Sequence, residues 1–268
     1  MKHWIIALSG LMLLACDQPA KNKVPDALTK EEMPAPVQQL FKKIAANPDS
    51  TGLRLQLVNA LDSLGAYGQA LGQMDSLIKK DSLNYGLWYR KALLQETTKD
   101  TTGALRSYRY AIRIYPSPDA QLAAANLLAE RKDSVALLIC RQVASLRMGR
   151  EYTAHCHFIT GIYFARTGNQ QKALHAFNNS IANDLNYTEA YMEKGFLYYD
   201  NRKYKEALQV YQTLVTVKNT YADGYYWLAK TEEALNNKAE AINNYQKSLT
   251  LDPALKEAAS ALQRLGAK

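Results

Sequence analysis

Histidine, cysteine and arginine carry the clearest chemical potential in this chain, and their spacing limits what they can do. His155, Cys156 and His157 have the composition of a metal site. On a helix, however, residues two apart point about 200° away from each other, so the imidazoles cannot converge on one ion. The nearest further histidine is His175, and no metal is expected. Cys140 and Cys156 lie 16 apart on what read as consecutive helices. Either they bridge, or both are buried as small apolar side chains, the usual fate of free thiols. No glycine-rich phosphate loop, nucleophile elbow or acid pair stands out, so neither a cofactor nor catalysis is expected. Arg106, Arg109 and Arg113 share one helix face within 79–150, a segment holding 13 Lys and Arg against 6 Asp and Glu. Such a patch suits an acidic partner, an anionic lipid surface or a negatively charged envelope polymer, or is simply a solvated face.

The elements that would carry these groups follow from a period. Ala70 and Ala104, then Ala173, Ala207 and Ala241, recur at 34-residue spacing except for one gap of 69. Four residues after each comes Met74, Tyr108, Phe177, Tyr211 or Tyr245, and three further on Leu77, Ala111, Ser180, Leu214 or Ser248. The spacing 0, +4, +7 is one face of a helix, and its recurrence means stacked units rather than one closed core. With 47% hydrophobic residues and only 13 Gly and 8 Pro in 268, the composition favours helix over disorder. Units are expected at 51–84, 85–118, 119–153, 154–187, 188–221 and 222–255, each two helices joined by a turn. Those turns fall at 65–66, 99–100, 168–169, 202–203 and 236–237. In 119–153 the alanine and aromatic signature is blurred and the turn at 132–133 is short. Amphipathic helices are expected at 37–46 and 254–266.

These residues resemble the tetratricopeptide repeat. The copy 222–255 carries Leu228 and Ala229, then Ala241, Tyr245 and Ser248, and closes with Leu251, Asp252 and Pro253. Tyr191, Gly195, Tyr198, Ala207 and Tyr211 fill the same places in 188–221, as do Trp88, Ala92, Ala104, Tyr108, Ala111 and Pro116 in 85–118. The resemblance implies an all-α, right-handed superhelical solenoid of about six helix-turn-helix repeats over 37–268, with 254–266 as the capping helix. It further implies that first helices line a concave groove facing a protein or peptide partner. Carried onto this chain, the groove positions are Tyr89, Leu93, Phe158, Ile162, Met192, Phe196, Tyr199 and Tyr226, with Lys230 and Glu233. Some members grip a terminal carboxylate with Lys and Asn in the first repeat. Here Asn59 fits but Leu55 stands where that Lys would be, so no such clamp is expected.

The amino terminus has its own logic. Lys2 and His3 precede an apolar run over 4–15, too short for the roughly 20 residues that a bilayer-spanning helix needs. A signal peptide over 1–15 is the expectation. Leu13, Ala15 and Cys16 resemble the lipobox of bacterial lipoproteins, which implies that Cys16 carries the lipid. The segment 16–36, with Pro19, Pro25, Pro34 and Pro36 among polar residues, reads as a tether. The implied location is the bacterial cell envelope, lipid-anchored, on either membrane and either periplasm-facing or surface-exposed. Export, rather than charge, argues against nucleic acid. The expected function is a non-catalytic adaptor or scaffold. The alternatives are a component of outer-membrane protein assembly, secretion or pilus biogenesis, and a cell-wall glycan recognition module.

Overall fold

The computed structural model describes residues 28–29 and 32–267, so Cys16 and the signal segment lie outside the described residues. Every regular element among them is an α-helix. They fall into two units divided after Ser82. The first contains α1 (Ala35–Ala46), α2 (Thr51–Ser63) and α3 (Tyr67–Lys80). The second contains α4 (Tyr85–Thr97), α5 (Thr101–Ile114), α6 (Pro118–Glu130), α7 (Val135–Ser145), α8 (Arg150–Arg166) and α9 (Gln170–Asn183). It continues with α10 (Thr188–Asp200), α11 (Tyr204–Val217), α12 (Ala222–Ala234), α13 (Lys238–Leu251) and α14 (Lys256–Arg264).

Local chemistry explains where these helices start. Ser50 and Asn84 accept the N–H of Leu53 and Leu87 at 3.3 Å, Asp100 that of Gly103 at 2.9 Å, and Asn169 that of Lys172 at 3.2 Å. Each satisfies an amide that has no partner inside its helix, worth about 1 kcal/mol. α1 begins two residues before the expected 37, because proline is tolerated in a first turn and Pro36 sits there. The tether expected to run through 36 is also fastened earlier. Gln69 on α3 brackets the Leu28 backbone, its Oε1 accepting the N–H at 3.3 Å and its Nε2 donating to the carbonyl at 3.0 Å. Met33 is buried. At the other end α14 is tighter than the expected 254–266.

Six turns between paired helices share one geometry. Gly65, Lys99, Lys132, Gly168, Arg202 and Asn236 all take positive φ, between 58° and 81°. The next residue's N–H bonds the carbonyl five positions back, from Ala66 to Leu61 through Asn237 to Glu232, at 2.8–2.9 Å. This terminates the first helix of each pair and reverses the chain.

The alanine face is the core. Ala70, Ala104, Ala173, Ala207 and Ala241 are fully buried, as are Met74, Tyr108, Phe177, Tyr211 and Tyr245 four positions on. The ring at +4 lands on a small residue 16 positions earlier on the first helix. A Cβ on Gly161 would stand 2.4 Å from the Phe177 ring, and one on Gly195 2.4 Å from that of Tyr211. The +7 serines do more than fill space. Ser180 donates to the Ala154 carbonyl at 2.8 Å and Ser248 to that of Ala222 at 2.9 Å, each tying a second helix to the start of its own first helix.

In the third repeat, where the signature was expected to blur, the buried face persists with Cys140 in place of the large +4 side chain. Ala136, Cys140 and Val143 are buried at 0, +4 and +7. Ala136 follows Ala104 by 32 residues and precedes Ala173 by 37, so a shortening of two and a lengthening of three appear in the sequence as one extra residue. α7 has 11 residues where α5 and α9 have 14, and α8 has 17 where α10 has 13. Between them Arg147 and Gly149 take positive φ.

The +4 tyrosines differ in one respect. The hydroxyls of Tyr108 and Tyr245 reach carboxylates 12 positions earlier, Glu96 and Glu233, the latter at 3.1 Å. For Tyr211 that place is Tyr199, and its buried hydroxyl has no hydrogen-bond partner. Tyr211→Phe is therefore expected to raise stability by about 1 kcal/mol, whereas Tyr245→Phe lowers it by a similar amount or more because it removes a bond to a charged acceptor. Paired urea titrations of the two variants check the opposite signs.

Candidate functional site

Three helices of the second unit, α10, α12 and the terminal α14, converge on a cavity of about 690 Å³. Tyr199, Tyr226, Lys230 and Glu233 form one side, with Tyr245 at the base and Lys256, Glu257, Ser260 and Arg264 opposite. Trp227 supports the aromatic wall, its ring 4.6 Å from Phe196, 5.6 Å from Tyr199 and 5.7 Å from Tyr226. The Lys230 ammonium sits 4.3 Å from the Trp227 ring centroid, 5.8 Å from Tyr199 and 5.9 Å from Tyr226. Three ring faces thus hold one cation at the cavity wall, each contributing by its quadrupole.

Charge in the cavity is arranged. Arg264 holds Glu233 through its two terminal guanidinium nitrogens, Nη2 at 2.9 Å, and the Tyr245 hydroxyl donates to the same carboxylate at 3.1 Å. Arg264 chiefly, with Tyr245 adding to it, holds the Glu233 carboxyl below its ordinary range. Burial pushes the phenols of Tyr199 and Tyr226 up, so both remain neutral donors at physiological pH. The cavity therefore offers flat apolar rings, phenolic hydroxyls and a cation on the rings, while its strongest carboxylate is already spoken for. Flat rings edged by hydroxyl donors and a cation are equipment suited to binding.

The other expected groove residues do not line this cavity. Tyr89 stacks on Tyr85 at 5.6 Å and meets Tyr108 at 5.7 Å, while Leu93 is 44% exposed. Phe158 lies between Tyr187 at 5.1 Å and Phe177 at 6.0 Å. Ile162 and Met192 do not line a surface: they are 1% and 7% exposed, in the cores built on Phe177 and Tyr211. The positional rule fails there because α8 and α10 bury those sides in the stack of neighbouring repeats. Arg106, Arg109 and Arg113 are exposed on α5. Arg113 lies 5.6 Å over Tyr110, which stacks on Trp88 at 4.4 Å, and Lys91 is 5.6 Å from Trp88. The basic face is thus also aromatic.

His155 and His157 open onto different cavities. His155 joins Asp119, Glu151, Tyr152, Asp184 and Tyr187, whereas His157 joins Cys140 and Cys156. Among the described residues no group of three or more His, Cys, Asp and Glu is placed to hold a metal ion. Sequence reasoning missed Trp227, which stands one residue after an expected groove position. It also missed Arg166, whose guanidinium bonds Glu130 at 2.8 and 3.0 Å and Glu193 at 3.0 and 3.1 Å. That ion network joins α6, α8 and α10, three consecutive first helices.

Comparison with known proteins gives this arrangement its family. The tetratricopeptide repeat pattern matches residues 55–118 and 160–222, and a second form of it matches 222–255. The chain belongs to the tetratricopeptide repeat family. The stretch between the matches, 119–159, contains the altered third repeat. Among solved structures, a tetratricopeptide repeat protein from Parabacteroides merdae superposes with a TM-score of 0.68 at 17% identity, covering 85% of this chain and 90% of that one. PilW, described as a type IV pilus biogenesis factor, gives 0.62 at 19% identity over 78% of this chain and 97% of its own. The Cut9–Hcn1 tetramer gives 0.59 at 14% identity over 85% and 46%. These likenesses concern the tetratricopeptide fold. No curated protein matches the sequence.

Proposed function

We propose that this tetratricopeptide repeat protein is a non-catalytic adaptor that holds an extended segment or helix of a protein partner against its first helices. The observation that carries the proposal is the cavity of α10, α12 and α14, where Tyr199 and Tyr226 flank Lys230 on Trp227. Aromatic side chains give large contact area at low entropic cost, and such anchors dominate interface energetics. Membership in a family of interaction repeats supports the reading. The adaptor acts at a bacterial envelope, held by lipid on Cys16; Leu13, Ala15 and Cys16 are the support for that part. Incorporation of labelled fatty acid that is lost in Cys16→Ser is the expected result. A narrower version makes the protein a component of outer-membrane assembly, secretion or pilus biogenesis, in line with the fold it shares with PilW.

A second reading, recognition of cell-wall glycan, rests on a different observation, the Trp88–Tyr110 stack beside Arg113. The two separate in one experiment. Peptides selected from a random library on the full chain are expected to lose about tenfold or more in affinity in Tyr226→Ala and in Lys230→Ala, and to keep it in Tyr110→Ala. If the groove variants bind selected peptides as well as the parent does, the adaptor reading fails. Sedimentation with purified cell wall that is lost in Tyr110→Ala would put the glycan reading in its place.

A further inference from the structure

We propose that Cys140 and Cys156 are a modification site, a dithiol that closes to a reversible disulfide by exchange with small disulfides of the glutathione class. The two residues stand on α7 and α8, helices that follow one another and pack together. Both belong to one buried cluster with Ile159 and Phe177, at 3% and 4% exposure, and both are free thiols. Both also line the wall of a single cavity of about 330 Å³, with Leu137, Ala144, His157 and Thr160. That volume lies within the range of cavities that hold small organic molecules.

Five repeats place Met74, Tyr108, Phe177, Tyr211 or Tyr245 at the +4 position, and the third places Cys140 there. The thiol stands there in place of a large side chain and lines the cavity between α7 and α8. The second thiol comes from the first helix of the next repeat, so the bridge would tie the shortened α7 to the lengthened α8.

The two sulfurs also divide the labour. Cys156 is pushed below the ordinary thiol range, first by the hydrogen bond from Cys140, while Cys140 is pushed up by that same contact and by burial. Cys156 therefore gives up its proton to solvent the more readily and attacks as the thiolate, and Cys140 is the thiol that resolves. The Cys156 thiolate displaces one thiolate from the incoming disulfide and leaves a mixed disulfide on Cys156. Cys140 gives its proton to solvent in the cavity, attacks the Cys156 sulfur and releases the second thiolate. Both released thiolates take up protons. One small disulfide is reduced to two thiols, and two protein thiols become one disulfide.

The test uses the full chain under native conditions. It is incubated with oxidised glutathione, quenched in acid, denatured and alkylated, and its peptides are mapped by mass. The expected product links the peptides of Cys140 and Cys156, with the loss of two hydrogens, and dithiothreitol restores both alkylatable thiols. Cys140→Ser is expected to trap a stable glutathione adduct on Cys156, whereas Cys156→Ser leaves Cys140 largely unmodified. Circular dichroism establishes that each variant is folded, and the parent chain alone decides the main point if either is not. The proposal is overturned if both thiols stay alkylatable in the folded parent, if either pairs with Cys16 instead, or if Cys140 is the residue that carries the adduct.

Discussion

Replacing Gly195 by valine is expected to destabilise the second unit by about 3 kcal/mol, the upper part of the usual range for overpacking a dense interior. The geometry leaves no softer outcome. An added Cβ would meet Cε1 and Cζ of Tyr211 at 2.4 Å and its hydroxyl at 2.7 Å. The ring is fully buried among Met192, Val210 and Leu214 and cannot swing into solvent. Gly195→Ala meets the same atoms with a smaller group and should cost about 2 kcal/mol. Shrinking the ring in Tyr211→Leu should return part of that loss, so that the double variant is less destabilised than the sum of the two singles. The control is Gly72 on α3, where an added Cβ meets nothing within 4 Å. There alanine is expected to stabilise by about 0.5–1 kcal/mol through helix propensity alone. Urea unfolding followed by circular dichroism reads all five.

Trp227→Ala is the second large effect, a loss of about 3 kcal/mol, the lower end for an aromatic truncated in a packed interior because the indole is half-buried. The indole contacts Phe196, Tyr199, Tyr211 and Tyr226, from three helices, so its removal opens a void where α10, α11 and α12 meet. It also removes the ring nearest Lys230. Trp227→Phe keeps part of the packing and should recover at least half of the loss. Partner binding should fall in both variants by more than their stability losses explain, because the wall that orients Tyr199 and Tyr226 has changed. Binding measured well below the unfolding transition separates the two contributions.

The fold was legible because its chemistry is periodic. A fully buried alanine followed at +4 by a large side chain is a packing requirement, so the spacing of Ala207 with Tyr211 and of Ala241 with Tyr245 is enough to mark helix crossings. The third repeat falls outside that fixed period. Ala136, Cys140 and Val143 keep the +4 and +7 spacing within α7, but their distances to the neighbouring repeats are shifted in opposite directions.

The site was legible only in part. Tyr199, Tyr226, Lys230 and Glu233, expected as groove positions, line one cavity on α10 and α12, helices of ordinary length. Ile162 failed on α8, which is four residues longer than α10, and Met192 failed because the Tyr211 core reaches it. What a periodic reading does not contain is the side-chain contact between one repeat and the next. The Arg166 ion network and the Arg264–Glu233 pair each join residues about one repeat apart. Cys140 on α7 and Cys156 on α8 likewise meet across a repeat boundary.

The central claim, that the aromatic first-helix face holds the partner, is tested most directly by photo-crosslinking in the living cell. A benzoylphenylalanine residue replaces Tyr199 or Tyr226 on that face, or Tyr110 on the basic outer face, in the full chain. Adducts to one and the same protein from positions 199 and 226, and none to it from position 110, are the expected result. Adducts from position 110 alone, or silence at 199 and 226 in a folded chain, would contradict that claim.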